Sequence, residues 1–398
     1  MIPLKSNLKK GLLLVLNLGS SSLKFSLFHS DSLEAECNGL VEGMYTSETI
    51  MEISCNESKR LIKKLFKGFD FEICLVELVN WLEENHYRAE ITAIGYRVVQ
   101  GGPKHITPEK VTSSLLADLE TYIYLAPNHL PDEIKLIRYF RNAFIGIPHL
   151  ACFDTNFHKD MPEVAKFYPL PDRFKEMGLR RYGFHGLSCE SILQQLLEED
   201  VDLAHQKIVI AHLGSGSSIT AIKNGVGIDT TMGISPLGGL VMATRPGDID
   251  PGAILLMLKQ EHLSVEQLDR VLSDESGLKA IAGISDMKEI LATQRSCQKS
   301  SEALDLFCYQ AKKHLGSLVA VLGGIDLLVF CGGIGENVPL IREKVCAHME
   351  FLGINIDAGS NHSNDTIISR SNSKVTVRVM KTDEEYMIGM HIQNLLTI

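Results

Sequence analysis

One short pattern occurs twice in this sequence, and the repeat restricts the fold more than any other feature. Residues 15–28 read VLNLGSSSLKFSLF, and residues 208–224 read IVIAHLGSGSSITAIKN. Each is an apolar run, a Leu-Gly-Ser turn with further Gly and Ser, then a second run of mixed polarity. Alternation with period two marks a half-buried strand, and Gly and Ser are ordinary turn residues. Locally, Gly19-Ser20-Ser21-Ser22 reads either as a plain hairpin turn or as a loop that holds a charged ligand. Aligning Leu18 with Leu213 gives an offset of 195 residues, close to half of the 398-residue chain. Two strand–turn–strand units at that separation predict a duplicated domain.

Each half continues in kind. In the first, FEICLVELVNWLEENHYRA and PDEIKLIRYFRN read as amphipathic helices, with ITAIGYRVV and IPHLACFDT as buried strands. In the second, DPGAILLMLKQEH and SEALDLFCYQAKKHLGSLVAVLGG read as helices, and IDLLVFCGGIGEN as a strand entering a glycine turn. Alternating strands and helices predict an α/β fold in two lobes. The first is expected over residues 1–150 with 385–398, and the second over 151–384. The segment from Glu384 onward is expected to return to the first lobe as a helix.

Bulk properties exclude several classes. The 49 acidic and 39 basic residues leave a net charge of −10, which argues against nucleic-acid binding. A few placed Arg and Lys can still hold a small anion. The nine cysteines are scattered and odd in number, with no C-x-x-C, so neither a disulfide framework nor a zinc ribbon is expected. That usage fits a reducing, cytoplasmic setting. The opening MIPLKSNLKKGLLLVLNLG is a poor signal peptide: its apolar run is short, Asn17 interrupts it, and no A-x-A site follows. The stretch SLVAVLGGIDLLVFCGG contains Asp326 and paired glycines, so it reads as helix, turn and strand rather than a membrane span.

Four glycine turns follow apolar strands, at Gly19, Gly101-Gly102, Gly214-Ser215-Gly216 and Gly332-Gly333-Ile334-Gly335. Glycine after a buried strand lets the backbone approach a phosphate with its N–H groups. Two of the four occupy the duplicated positions, which points to a nucleotide between two lobes. The chain has no G-x-x-x-x-G-K-[ST], no G-x-G-x-x-G opening a helix, no H-R-D with D-F-G, and no H-E-x-x-H. Polar residues sit in several of its turns and strands: Asp154 in FDTNFH, His185 in RRYGFHG, Arg245 in TRPGDID, Arg97 in GYRVV. Each has an ordinary structural reading. Arg97 pairs with a buried acid, His185 is a satisfied core residue, and Asp154 or Asp248 caps a helix.

Taken in order, NLGSSSLKFSLF, FDTNFH, RRYGFHGLS, HLGSGSS, DTTMGISPLGGL, TRPGDIDP, GGIGEN and TDEE resemble the acetokinase family, over roughly residues 11–390. That family lies in the superfamily of acetate and sugar kinases, heat-shock cognates and actin. The resemblance implies two duplicated ribonuclease-H-like (actin-like ATPase) lobes around a central nucleotide cleft, usually in a homodimer. It implies Mg²⁺- or Mn²⁺-dependent phosphoryl transfer between ATP and acetate, giving acetyl phosphate and ADP. Asn17 and Glu384 would help hold the metal, while Ser20, Ser22 and Lys24 would face the phosphates. Arg97 and Arg245 would bind the carboxylate and the transferring phosphoryl group. Asp154 would organise metal and nucleophile, and His185 would stabilise the transition state. The ATP site would comprise His212, Leu213, Gly214, Ser215 and Gly216, then Asp286, Met287 and Lys288, then Gly332, Gly333, Ile334, Gly335, Glu336 and Asn337. Val99, Phe184 and Pro236 would line the acyl pocket.

The chain departs from the family pattern at Tyr96, Gln100, Asn128, Ser215 and Lys288, and near the motifs at Cys189, Gly238, Pro246 and Asp383. Two enzymatic alternatives keep the fold: another short-chain acid (propionate, butyrate), or pyrophosphate as donor. The non-enzymatic alternative is a nucleotide-binding clamp of the actin or heat-shock type. Arg97 and Arg245 argue against it, since a nucleotide switch needs no carboxylate clamp.

Overall fold

In the computed structural model, which describes residues 10–19, 22–45, 48–55, 60–66 and 71–397, the chain divides into two compact units. One runs to Asn156 and includes the segment from Asp383, and the other spans Phe157 to Thr382. Asp154 and Glu384 therefore belong to the unit that contains Asn17 and Arg97.

The first unit holds an eight-stranded sheet. Its strands are β1 (Leu12–Leu18), β2 (Ser22–His29), β3 (Ala35–Glu42), β4 (Thr49–Cys55), β5 (Arg60–Phe66), β6 (Ile91–Val98), β7 (Glu109–Lys110) and β8 (His149–Phe153). Their order is β5-β4-β3-β2-β1-β6-β8-β7. The second unit holds β9 (Lys207–Leu213), β10 (Ser217–Lys223), β11 (Val226–Thr230), β12 (Leu327–Cys331) and β13 (Thr376–Val379), in the order β11-β10-β9-β12-β13.

The duplication is topological as well as sequential. β3-β2-β1 and β11-β10-β9 are antiparallel, and each is extended by two parallel strands, β6-β8 and β12-β13. This is the ribonuclease-H-like arrangement, present once per unit. Leu18 and Leu213 end the corresponding central strands β1 and β9. All seven residues of β1 are buried, as expected for a strand covered on both faces. The apolar start of the sequence is therefore a central strand.

Helices occur where the periodicity places them, at Phe71–Glu84, Leu130–Ala143, Pro251–Gln260 and Gln298–Leu322. The C-terminal helix Glu384–Thr397 packs on β1 and β6. It lies so close that a Cβ on Gly95 would sit 2.6 Å from side-chain atoms of Ile388 and Ile392. Asp383 starts this helix by accepting from the Tyr386 N–H at 2.8 Å. No helix among the described residues is long and apolar enough to cross a membrane.

One pairing departs from the expectation of reduced cysteines. Cys37 and Cys55 are direct partners in the β3–β4 register, with Cα atoms 4.1 Å apart, and form a disulfide. Opposition across two strands brings their sulfurs together, which spacing along the chain did not reveal. The other seven stand outside any disulfide, and all but Cys297 are buried.

Candidate active site

In the first unit, β6 delivers Arg97 and Tyr96 to opposite faces, as strand geometry requires. The Tyr96 hydroxyl lies 2.6 Å from His149 Nδ1, while His149 Nε2 lies 3.1 Å from the Phe144 carbonyl. The carbonyl only accepts, so Nε2 carries the proton and Tyr96 donates to Nδ1. Burial raises the Tyr96 phenol and lowers the His149 imidazole, keeping both neutral. The departure at Tyr96 is thus a core pair, turned away from Arg97. Gln100 is likewise spent locally, accepting from the Gly102 N–H at 2.9 Å.

Arg97 donates from Nη2 to Asp154 Oδ2 at 2.6 Å and from Nη1 to the Leu18 carbonyl at 3.2 Å. Its Nε lies 3.9 Å from Glu384 Oε2. Asp154 follows β8 directly, and its N–H donates to the Val98 carbonyl at 2.9 Å. Burial works against the guanidinium charge, but Asp154 and Glu384 outweigh it and raise the pKa. The structural reading of Arg97, a pair with a buried acid, is met by Asp154.

Asn17 donates from Nδ2 to Glu384 Oε2 at 3.0 Å and to Glu385 Oε1 at 2.6 Å. Its Oδ1 lies 3.5 Å from Arg97 Nη1. Lys24 is the cross-strand partner of Asn17 in the β1–β2 pair. Burial lifts the Glu385 carboxyl above its usual range, against the pull of Lys24. The Gly19 N–H donates to the Ser22 carbonyl at 2.7 Å, which closes the turn as a hairpin. Ser20 lies outside the described residues.

Asn17, Asp154 and Glu384 offer only oxygen atoms to a cation, the donor type that suits a hard divalent metal. Among the described residues no group of three or more His, Cys, Asp and Glu forms a metal cage. A magnesium-like ion, which keeps waters and takes one or two carboxylates plus substrate phosphates, fits such a donor set.

In the second unit, His185 adopts a left-handed conformation, φ 57°, at the start of the helix Gly186–Glu199. The turn before it is clamped. His158 Nε2 donates to the Phe184 carbonyl at 3.0 Å, and burial pushes His158 down to about 4, so it stays neutral. Gly183 has φ 74°, and a Cβ there would lie 2.6 Å from His158 and 2.7 Å from Thr230. His185 Nδ1 lies 2.9 Å from the Ser218 hydroxyl, and its ring stacks on His212 at 4.3 Å.

Two site groups flank one glycine. A Cβ placed on Gly216 would lie 3.2 Å from His185 Nε2 and 3.7 Å from Arg245 Nη1. Arg245 Nη1 donates to the Pro236 carbonyl at 3.3 Å and lies 3.8 Å from Met242 Sδ. The Ala243 N–H donates to the Ser215 carbonyl at 3.2 Å, which ties the Arg245 segment to the glycine turn. The end of β12 approaches the end of β9: a Cβ on Gly332, φ 76°, would lie 2.7 Å from the Leu213 carbonyl oxygen and 3.2 Å from His212 Nε2.

Glu336 and Asn337 hold the second glycine turn. The Glu336 carboxylate accepts from the Gly332 N–H at 3.0 Å, and Asn337 Nδ2 donates to the Gly333 carbonyl at 2.9 Å. Arg342 fixes the Gly335 carbonyl at 2.7 Å, and Ile334 packs against the core. The Cα of Gly333 faces open space, and Gly214 donates to the Ser217 hydroxyl at 3.2 Å. Asp286 caps the helix Met287–Thr293 through the Lys288 N–H at 2.8 Å, Met287 enters the core, and Lys288 is exposed. Asp248 holds the Gly239 N–H at 2.7 Å, and the helix cap falls to Asp250. Val99 and Phe184 are buried and Pro236 is half-buried.

Four residues that touch this machinery were not singled out from the sequence: Glu133, His158, Ser218 and Glu385. Glu133 had a visible signal, since it shares the apolar stripe of its helix with Leu130, Ile134 and Ile137. A carboxylate on that face contradicts the pattern.

Comparison with known proteins agrees with the arrangement. The chain is 38% identical to an acetate kinase of Rhodopseudomonas palustris over 391 residues, covering 96% of this chain and 98% of that protein. It is 39% identical to an acetate kinase of Protochlamydia amoebophila, covering 96% and 99%. A crystal structure of a propionate kinase from Francisella tularensis superposes with a TM-score of 0.90 at 33% identity, covering 96% and 98%. The acetate kinase of Porphyromonas gingivalis superposes at 0.86 with 35% identity, covering 97% and 100%. The family model described as the acetokinase family matches residues 12–390, and the chain belongs to that family.

Proposed function

We propose that the chain transfers the terminal phosphoryl group of ATP reversibly to acetate, giving acetyl phosphate and ADP. The observation that carries this reading is the convergence of His185 and Arg245 on Gly216. A carboxylate approaching a γ-phosphate brings two anions together, so the site must supply cations. Arg97 presents a guanidinium suited to the planar carboxylate, and Arg245 serves the phosphoryl oxygens. His185 faces the Gly216 turn with Nε2 while Ser218 holds Nδ1, so the ring is oriented toward developing charge. In the Gly214–Gly216 and Gly332–Gly335 turns, where Gly214 and Gly332 spend their N–H groups on Ser217 and Glu336, the N–H groups that follow them are assigned to phosphate.

A divalent cation, Mg²⁺ with Mn²⁺ as a substitute, would neutralise the phosphate oxygens when bound. Asn17 and Glu384 would hold it, and Asp154 would order it beside Arg97. Acetic acid, with a pKa of roughly 4, is already ionised at pH 7. No strong base is required, so Asp154 orients rather than accepts a proton. Val99, Phe184 and Pro236 are assigned to the acyl group, and Ser20, Ser22 and Lys24 to phosphate.

Acetate with ATP, magnesium and hydroxylamine should yield acetyl hydroxamate. Absence of hydroxamate from acetate, propionate and butyrate alike would overturn the reading. The propionate kinase among the structural relatives favours propionate as the second acceptor. Pyrophosphate in place of ATP should give none.

The active form is assigned as a cytoplasmic homodimer without nucleic-acid or membrane partners. The seven cysteines outside the disulfide fit a reducing setting while the Cys37–Cys55 pair goes against it, and a net charge of −10 argues against nucleic acid. The helix Pro251–Gln260 buries none of its residues, and Leu255 and Leu256 are 54% and 59% exposed. An apolar helix left uncovered suits a second copy of the chain. Sedimentation should give twice the 44.1 kDa chain mass, and replacing both leucines by Glu should give monomers. A monomeric parent protein would refute the dimer.

A further inference from the structure

We propose that Glu133 is a positioning residue for acid binding: it fixes the backbone at Val99, just beyond Arg97, and its charge state sets how freely Arg97 can serve a substrate carboxylate. The inference rests on the reading of Arg97 as the carboxylate-binding group.

Glu133 is 1% exposed, on the buried face of the helix Leu130–Ala143. Both its oxygens accept from a single donor, the Val99 N–H, at 3.2 and 3.1 Å. Val99 follows the last residue of β6, where the ladder ends and the backbone must be held by something else. The preceding carbonyl, Val98, is held by the Asp154 N–H at 2.9 Å. The Val98–Val99 peptide, one residue beyond Arg97, is thus pinned on one side by Asp154 and on the other by Glu133. Both groups act on the Arg97 guanidinium, and Asp154 is in direct contact with it.

A fully buried carboxylate with one backbone N–H has too few donors to offset its lost hydration. Burial pushes Glu133 up to about 8; Arg97 and the Val99 N–H pull it down, and Asp154 and Asp132 push it further up. Near pH 7 about one molecule in ten carries the charge, and near pH 9 about nine in ten. In the neutral state Arg97 answers chiefly to Asp154 and Glu384. In the charged state a further buried carboxylate competes for the same guanidinium, and an incoming acid binds more weakly.

The test is the pH dependence of KM for acetate between pH 6.5 and 9.5 at saturating ATP, measured as acyl hydroxamate. The parent protein should show an acetate KM that rises about fivefold or more, with an apparent pKa near 8. In Glu133→Gln, which keeps an acceptor for Val99 without the charge, this rise should vanish. An equal rise in both proteins would overturn the proposal. Glu133→Met removes the acceptor and should raise the acetate KM at every pH, by about tenfold, more than it moves the KM for ATP. Equal movement of both constants would mark Glu133 as merely structural.

The melting temperatures of parent and Glu133→Gln supply a second readout that needs no turnover. Between about pH 5 and 8 the folded parent holds a proton that the unfolded chain releases. Rising pH therefore costs the parent stability in that window and spares the variant. The gap between them should widen in favour of Glu133→Gln from pH 5 to 8.5. A constant gap sinks the inference. An inactive parent with a widening gap sinks only the reading of Arg97 and the proposed reaction.

Discussion

Arg245→Ala should lower kcat by about a hundredfold to a thousandfold and leave the melting temperature within about 2 °C of the parent. The two effects separate because of how Arg245 is held. Its bond to the Pro236 carbonyl is long, 3.3 Å, and its approach to the Met242 sulfur is 3.8 Å. Arg245 is only half-buried, so its removal opens little of the core. It also lies beside the Gly216 turn next to His185 Nε2, where the proposed reaction places the charge of the transferring phosphoryl group. Steady-state assay with thermal melting decides the matter. A large melting loss with a modest fall in kcat would make Arg245 a structural residue.

Asp154→Ala should damage both properties. Asp154 is fully buried, and its 2.6 Å bond to Arg97 neutralises a guanidinium whose side chain is only 13% exposed. Breaking a buried pair from one side typically costs 3–5 kcal/mol, because the other charge stays behind uncompensated. Glu384, 3.9 Å from Arg97 Nε, takes up part of that charge. The expected loss is therefore about 3 kcal/mol, a melting shift on the order of 10 °C. Turnover should fall by about a hundredfold or more, since Arg97, proposed above to bind the carboxylate, loses its orientation. Asp154→Asn, of equal size, should keep more of the stability and still lose the activity. An active Asp154→Asn enzyme would refute the organising role.

The legible parts of this protein are those encoded by short-range pattern. The β1–β2 and β9–β10 hairpins follow from an apolar run and a run of mixed polarity on either side of a Gly-Ser turn, and both form as expected. The C-terminal helix was legible as an element, and its return to the first sheet follows from its apolar face meeting the bare backbone at Gly95. The Cys37–Cys55 pair was not legible, because strand register rather than sequence spacing opposes the two residues. The resemblance implies a nucleotide contact for Asp286, Met287 and Lys288, and the structure adds what the motif did not show, a helix cap for Asp286 and a core position for Met287.

The amino-acid sequence by itself determined the duplicated strand–turn–strand units, the α/β class, the glycine turns and the charged residues beside them. Local backbone preference and polarity period suffice for these, since neighbours along the chain settle them. Only the tertiary structure decided which charges meet. Asn17 reaches Glu384 across 367 positions, Arg97 reaches Asp154 across 57, and Glu133 reaches the Val99 N–H across 34. The apolar period says which face of an element turns inward, but not which partner it finds there. That choice follows from close packing at points such as Gly95, Gly216 and Gly332, where the missing side chain lets two segments approach. The LGSSS turn of the first strand pair is a hairpin on either reading. Its setting beside Asn17, Lys24 and the carboxylates of a helix from the far end of the chain is a property of the fold alone.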